Sequence, residues 1–170
     1  YEIADGDWSS DVCSSDLRDC ATNTCANASR CNGDTCTEAI SIDLSRGLSQ
    51  LHGDQFAYVD DWNAGGRSGC ALEGEDSAGE TPGTDFFLEV SGHGAGDEVL
   101  FDATDSEATL AFYVLDACDS SSCVDAGTAE SATSPNRFAW TAPDDQPVVV
   151  VVEVISADQD HEFDLRVSSQ

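Results

Sequence analysis

From Glu38 onward, short runs of residues carry an apolar side chain at every second position. This period of two predicts strands with one buried and one polar face. Clusters rich in Gly, Asp, Ser and Pro, such as SGHGAGD and TAPDDQP, separate the runs and are typical of turns. No window sustains the i, i+3, i+4, i+7 spacing of an amphipathic helix. The predicted strands are, in chain order, AISIDL, DQFAYVDDW, TDFFLEVSG, DEVLFDA, TLAFYVL, NRFAWTA, PVVVVVEVI and HEFDLRVS.

One run departs from this alternation. PVVVVVEVI is apolar on both faces until Glu153, which predicts a central strand covered on each side. An antiparallel β-sandwich of jelly-roll type, with about eight strands, is the natural way to bury such a set of runs. We therefore predict an all-β domain over residues 37–170.

Residues 18–36 follow a different pattern, in which CATNTCANASR and CNGDTCTEAIS repeat Cys-x-x-x-Thr-Cys. The segment is too polar to pack a core, so we predict a short linker ordered by disulfides. A zinc site is the alternative interpretation. The spacing lacks the usual Cys-x-x-Cys pair, however, and no histidine lies nearby.

Residues 1–17, YEIADGDWSSDVCSSDL, can be back-translated into the constant parts of an index adapter used in short-read sequencing libraries. The alternative is a genuine acidic linker. We expect this segment, which includes Cys13, to be non-native and exclude it from the fold. On that interpretation the native chain is truncated near Arg18, and a signal peptide has been lost with the missing part.

The charge balance excludes two classes of partner. The chain carries 34 acidic residues against 6 basic ones and has a formal net charge of −28. Such a charge repels nucleic acids and anionic membrane surfaces, so neither is an expected partner. No apolar stretch reaches the roughly 18–20 residues that a transmembrane helix needs.

Cysteine is the residue type with the clearest chemistry. Seven cysteines beyond residue 17 indicate an oxidising compartment, so we expect a secreted or cell-surface protein. The spacer DSSS allows Cys118 and Cys123 to pair in a small loop. Cys36 and Cys70 are the better candidates for a stabilising cross-link. The odd remainder implies a partner upstream of the fragment; its members are Cys20, Cys25 and Cys31.

Several stretches in a fixed order resemble bacterial pre-peptidase C-terminal domains over about residues 34–168. They are GDTCTEAISI, SGC, GTDFFLEV, ATLAFYVLDACDSSSC, VVVVVEV and HEFDLRVS. The resemblance implies a compact jelly roll appended to secreted enzymes or surface proteins, removed or used for anchoring and substrate contact, without catalysis by the module. Some relatives bind calcium through carboxylates, but that motif has no residue-by-residue counterpart here.

No residues are assigned a catalytic role. The three histidines are not accompanied by a GxSxG nucleophile stretch, and acid pairs are too frequent to carry a signal. The stretch VDDWNAGG offers a binding site instead. Trp62 could stack on a sugar ring or, alternatively, cover the sandwich edge. Asp60, Asp61 and Asn63 could ligate Ca²⁺, although no spaced calcium loop supports this, and no other cofactor is expected.

The function predicted from sequence is a non-catalytic accessory or surface module of a secreted bacterial protein, contacting an extracellular protein or a glycan. Two alternatives remain open: the C-terminal piece of a secreted hydrolase, and a carbohydrate-binding module. The carbohydrate-binding alternative predicts an exposed Trp62 beside a groove.

Overall fold

A computed structural model describes residues 33, 35–54, 62–72, 83–103, 109–129, 137–155 and 162–170. Within those ranges the regular structure consists of strands and two short 3-10 turns, at Cys36–Glu38 and Leu44–Arg46. The all-β prediction is confirmed. The strands are β1 Ile40–Asp43, β2 Ser49–Asp54, β3 Gly83–Ser91, β4 Glu98–Asp102, β5 Thr109–Leu115, β6 Asp125–Ala129, β7 Arg137–Thr141, β8 Val148–Ile155 and β9 Glu162–Ser169.

The strands form two sheets that pack face to face. One sheet has five strands in the order β1-β3-β8-β5-β6, and the other has four in the order β2-β9-β4-β7. All neighbouring strands run antiparallel except β1 and β3, which are parallel. The predicted sandwich is therefore correct, with one parallel pair at an edge that the sequence did not indicate.

The valine-rich strand lies where the sequence predicted. β8 pairs with β3 on one side and with β5 on the other. Val150 and Val152 point into the space between the sheets, whereas Val151 packs on the outer face of the five-stranded sheet. Both faces of β8 are covered, which explains why its sequence does not alternate.

Two strands have sequences without a clear pattern. The core residue Leu51 lies in β2, whose sequence SQLHGD does not alternate, and β6 is the sequence DAGTA. Each pairs along its length with an established strand, β2 with β9 and β6 with β5, and this pairing defines it as a strand. The predicted strand DQFAYVDDW lies almost entirely outside the described residues.

The inner core is apolar and aromatic. Phe101, Phe112 and Phe138 come from three different strands, and their ring centroids lie 5.2–5.8 Å apart. Gly127 allows this packing, since a Cβ atom there would lie 2.5 Å from Cδ2 of Phe138. Burying each phenylalanine contributes about 1.5–3 kcal/mol relative to leaving it exposed.

Candidate functional site

A second, smaller cluster covers the outer face of the five-stranded sheet. The segment Trp62–Leu72, here called the strap, packs against this face without being part of either sheet. Trp62, Cys70 and Leu72 are its buried members. The sheet residues beneath it are apolar and aromatic, and they are Phe87, Ala111, Tyr113, Leu115 and Val151.

Both described disulfides lie at one end of this outer face. Cys36 bonds to Cys118 with a Cα–Cα distance of 5.5 Å, and Cys70 bonds to Cys123 with a Cα–Cα distance of 5.0 Å. The predicted pairs Cys36–Cys70 and Cys118–Cys123 are therefore wrong, although all four residues are cross-linked. The loop 116–124 offers its two cysteines to two different segments instead of to each other.

Backbone contacts explain the observed pairing. The amide of Cys123 donates to the carbonyl of Ser68 over 2.9 Å, and Ser68 forms a β-bridge with Ser122. These contacts place Cys70 beside Cys123. The contacts depend on the strap crossing the sheet, which local spacing in the sequence does not reveal.

Hydrogen bonds of Arg67 join the strap to the same loop. Its Nε donates to the carbonyl of Asn63 over 3.0 Å, and its Nη1 donates to the carbonyl of Ser120. The guanidinium also lies 5.3 Å from the ring centroid of Trp62, within the range of a cation–π contact. Arg67 thus forms a hydrogen bond within the strap, covers the indole of Trp62 and contacts loop 116–124.

Trp62 is a packing residue in this arrangement. Its side chain is 9% exposed, and its ring centroid lies 4.7 Å from that of Tyr113 at a tilt of 45°. Since Arg67 covers one side and Tyr113 packs nearby, the indole offers no open face to a sugar ring. The exposed Trp62 expected of a carbohydrate-binding module is not found, and the residue covers the outer face of the five-stranded sheet instead of the sandwich edge.

Two buried carboxyl groups beneath the strap were missed by the sequence analysis. Asp85 and Glu153 are register partners in β3 and β8, and both are fully buried. Oδ2 of Asp85 accepts the backbone N–H of Trp62 over 2.8 Å, and Oε2 of Glu153 accepts the Tyr113 hydroxyl over 3.1 Å. A buried carboxyl group is tolerated only with such donors. The one available signal was Glu153 interrupting a run of valines.

The candidate calcium ligands are only partly within the described residues. Asp60 and Asp61 lie outside them. Asn63 is exposed, and its Oδ1 accepts the backbone N–H of Gly65 over 2.5 Å, which closes a turn. No group of three or more metal-binding side chains occurs among the described residues. The remaining predicted disulfide residues, Cys20, Cys25 and Cys31, also lie outside the described ranges.

His93 is buried in the turn between β3 and β4. Its ring meets Trp140 edge-on with the ring centroids 5.5 Å apart, and neither ring nitrogen has a hydrogen-bond partner in the part of the chain that the structure describes. A catalytic base needs such partners. Nearby, the Gly94 amide and then the Ser169 hydroxyl donate to Asp97, and these hydrogen bonds lower the pKa of Asp97 below its usual 3.8.

Within the described ranges, no helix has the length and apolar character needed to span a membrane.

Comparisons with known proteins add little to this picture. Neither a scan against protein-family models nor a search of the curated proteins found a match. Among solved structures, the chain is similar to PliG of Aeromonas hydrophila, a periplasmic inhibitor of g-type lysozyme. The TM-score is 0.44 at 11% identity, covering 76% of this chain and 94% of that one. A similarity of that size supports no conclusion about function.

Proposed function

We propose that this chain is a non-catalytic accessory or surface module of a protein exported to an oxidising compartment, where it acts in binding, anchoring or structure. The observation that carries the proposal is the pair of long-range disulfides. One joins residues 82 positions apart in the sequence, and the other joins residues 53 positions apart. Disulfides of this kind form and persist outside the cytosol and are rare within it.

The buried ionisable side chains support a structural role. Asp85 accepts a hydrogen bond from the strap, Glu153 accepts one from Tyr113, and His93 packs on Trp140. Each of these groups is covered by other residues rather than open to a substrate. Catalysis requires titratable groups that converge on a space where a substrate can bind.

The exposed loop 116–124, which carries one cysteine of each described disulfide, is the binding surface that this proposal favours. Cross-linked loops lose little conformational entropy when a partner binds, which favours affinity. Asp116 and Asp119 are exposed in this loop, Glu38 is exposed two positions after Cys36, and Val124 is 43% exposed. A protein partner with a basic, partly apolar surface would complement this composition.

The resemblance to pre-peptidase C-terminal domains refines the proposal. The ordered stretches of that pattern fall on β1, β3, β5, β8 and β9, which together form most of the sandwich. A module of this type would be carried by a larger secreted protein, and its contribution would be attachment or contact rather than chemistry. The partner class is then an extracellular protein.

Expression with and without an export signal tests the compartment. When the chain is exported to a bacterial periplasm, we expect it to contain both disulfides and to resist protease. Chain retained in the cytosol should be reduced and degraded faster. Equal protease resistance of the fully reduced chain would contradict the proposal, because the fold would then not depend on an oxidising compartment.

Activity measurements on the oxidised, purified chain test the absence of catalysis. We expect no turnover of casein, chromogenic esters or aryl glycosides above a boiled-protein control. Saturable turnover that copurifies with the chain and is lost on boiling would overturn the proposal in favour of a hydrolase.

A further inference from the structure

The loop 116–124 supplies one cysteine to each of the two disulfides. Cys118 bonds to Cys36 across 82 positions, and Cys123 bonds to Cys70 across 53 positions. Yet Cys118 and Cys123 are themselves separated only by Asp-Ser-Ser-Ser. Among these four cysteines, the native pairing therefore leaves unused the two that lie nearest in the sequence.

In the reduced, unfolded chain, loop closure favours this unused pair. The effective concentration of two chain positions falls as about the −3/2 power of their separation. Cys118 and Cys36 are 82 positions apart, whereas Cys118 and Cys123 are separated by only four residues. On that scaling Cys118 meets Cys123 roughly 70-fold more often than it meets Cys36. Cys70 and Cys123 are 53 positions apart, so by the same argument Cys123 meets Cys118 roughly 35-fold more often than it meets Cys70. A spacer of small, flexible residues allows the Cα approach of about 5.5 Å that a disulfide needs.

The folded structure favours the opposite outcome. A backbone hydrogen bond attaches the chain just before Cys36 to β3, because the Phe87 amide donates to the carbonyl of Gly33 over 2.7 Å. Cys70 is held by the contact between Ser68 and Cys123. Both long-range partners are brought to the loop only when the strands and the strap are in place. Loop closure therefore favours the local bond early in folding, and tertiary contacts favour the native bonds later in folding.

We propose that Cys118–Cys123 is a transient non-native disulfide in the oxidative folding of this chain, and that the chain is a substrate of a thiol–disulfide isomerase. The inference rests on disulfide connectivity and does not depend on what the folded module binds. The partner it implies is an enzyme with a reactive thiolate that reshuffles disulfides without net oxidation.

The rearrangement balances as a single exchange followed by one oxidation. The Cys36 thiolate attacks Sγ of Cys118, the Cys36–Cys118 bond forms, the Cys118–Cys123 bond breaks, and Cys123 leaves as a thiolate. An isomerase performs the first attack with its own thiolate and is then displaced by Cys36. Cys70 and Cys123 next lose two electrons and two protons to a disulfide oxidant such as oxidised glutathione, which is reduced to two thiols.

Quenched refolding of the full chain tests the intermediate. The reduced chain is refolded in a glutathione buffer, samples are blocked with N-ethylmaleimide, and a protease that cleaves before Asp releases peptides for mass spectrometry. The local bond joins peptides 116–118 and 119–124, whereas the native bonds join 34–42 to 116–118 and 61–75 to 119–124. We expect the local cross-link to dominate early samples and to disappear later. Native cross-links formed first, with no local one at any time, would overturn the proposal.

Adding purified protein disulfide isomerase tests the partner. We expect conversion of the local cross-link into the native ones to accelerate several-fold, and not with an isomerase lacking its active-site cysteines. The decisive variant combines Cys20→Ser/Cys25→Ser/Cys31→Ser, which removes Cys31 as a local competitor for Cys36, with Cys70→Ser/Cys123→Ser, which removes the local bond of Cys118. In that combined variant Cys36–Cys118 should form faster than in the triple variant alone and without help from the isomerase. An unchanged rate in that variant would count against the local bond as a trap. The triple variant Cys20→Ser/Cys25→Ser/Cys31→Ser is the control, and it should retain the local intermediate.

Discussion

The two faces of the five-stranded sheet are buried in different ways. The inner face packs on a second sheet through apolar side chains such as Phe86, Leu88 and Phe112, and no charged side chain is buried there among the described residues. The outer face is covered in part by the irregular strap, and among the described residues two buried carboxyl groups lie there, Asp85 and Glu153.

The difference follows from the backbone. Strands on both sides of the sandwich pair their N–H and C=O groups within the sheets, so side chains between them can be wholly apolar. A covering segment that belongs to no sheet must satisfy its buried backbone groups elsewhere. The Trp62 amide does so by donating to the Asp85 carboxylate. A polar side chain inside the outer cluster is therefore a requirement of an irregular cover.

The largest effect is expected in the inner core. Phe112→Ala removes a ring that contacts Phe101 and Phe138, and it leaves a cavity between the sheets. We expect a loss of about 3–5 kcal/mol in the free energy of unfolding, measured by urea denaturation under oxidising conditions. A loss below about 1 kcal/mol would mean that the inner face is not close-packed.

Removing the covalent attachment of the strap is the next largest change. Cys70→Ser/Cys123→Ser opens a cross-link that spans 53 positions, so we expect a loss of about 2–4 kcal/mol. Hydrogen exchange should increase in 62–72 and less in the strands of the inner core. Cys36→Ser/Cys118→Ser is the matched control and should leave exchange of the strap closer to the original. Equal protection of the strap in both variants would show that its side chains alone hold it.

A smaller effect tests the polar contact beneath the strap. Tyr113→Phe keeps the ring against Trp62 and removes the hydroxyl donor to Glu153. We expect a loss of about 1–2 kcal/mol, because a buried carboxyl group then lacks one hydrogen bond. Thermal unfolding followed by calorimetry measures it. An unchanged melting temperature would show that Glu153 does not depend on this donor.

The smallest effect is a pH dependence outside both clusters. The Gly94 amide and the Ser169 hydroxyl lower the pKa of Asp97 in the folded state below 3.8. Its ionised form therefore stabilises the fold above that pH, and the contribution is lost as the pH falls through the lowered value. Asp97→Asn should be slightly less stable than the original chain at pH 6, and the difference should shrink at pH 3. A difference that grew on acidification would contradict this assignment.

Most of the inner core was predictable, and most of the outer site was not. Alternation in TLAFYVL and RFAWT identifies strands because a sheet presents successive side chains to opposite faces. β6 was not predicted as a strand because DAGTA has no such pattern; it is a strand because it pairs with β5. The burial of Trp62 could be formulated only as an alternative, since its cover, Arg67, lies on the far side of a turn.

The amino-acid sequence was enough to predict a strand-built chain, a position for β8 inside its sheet, and a module cross-linked by cysteines. These properties follow from local pattern and composition, which act on neighbouring residues. Three features depend on the three-dimensional fold: which cysteines pair, the packing of Trp62 on Tyr113 instead of exposure to solvent, and the position of Asp85 opposite Glu153. Each of these contacts joins residues distant in the chain, so it depends on strand order and register, and neither is encoded in any single segment.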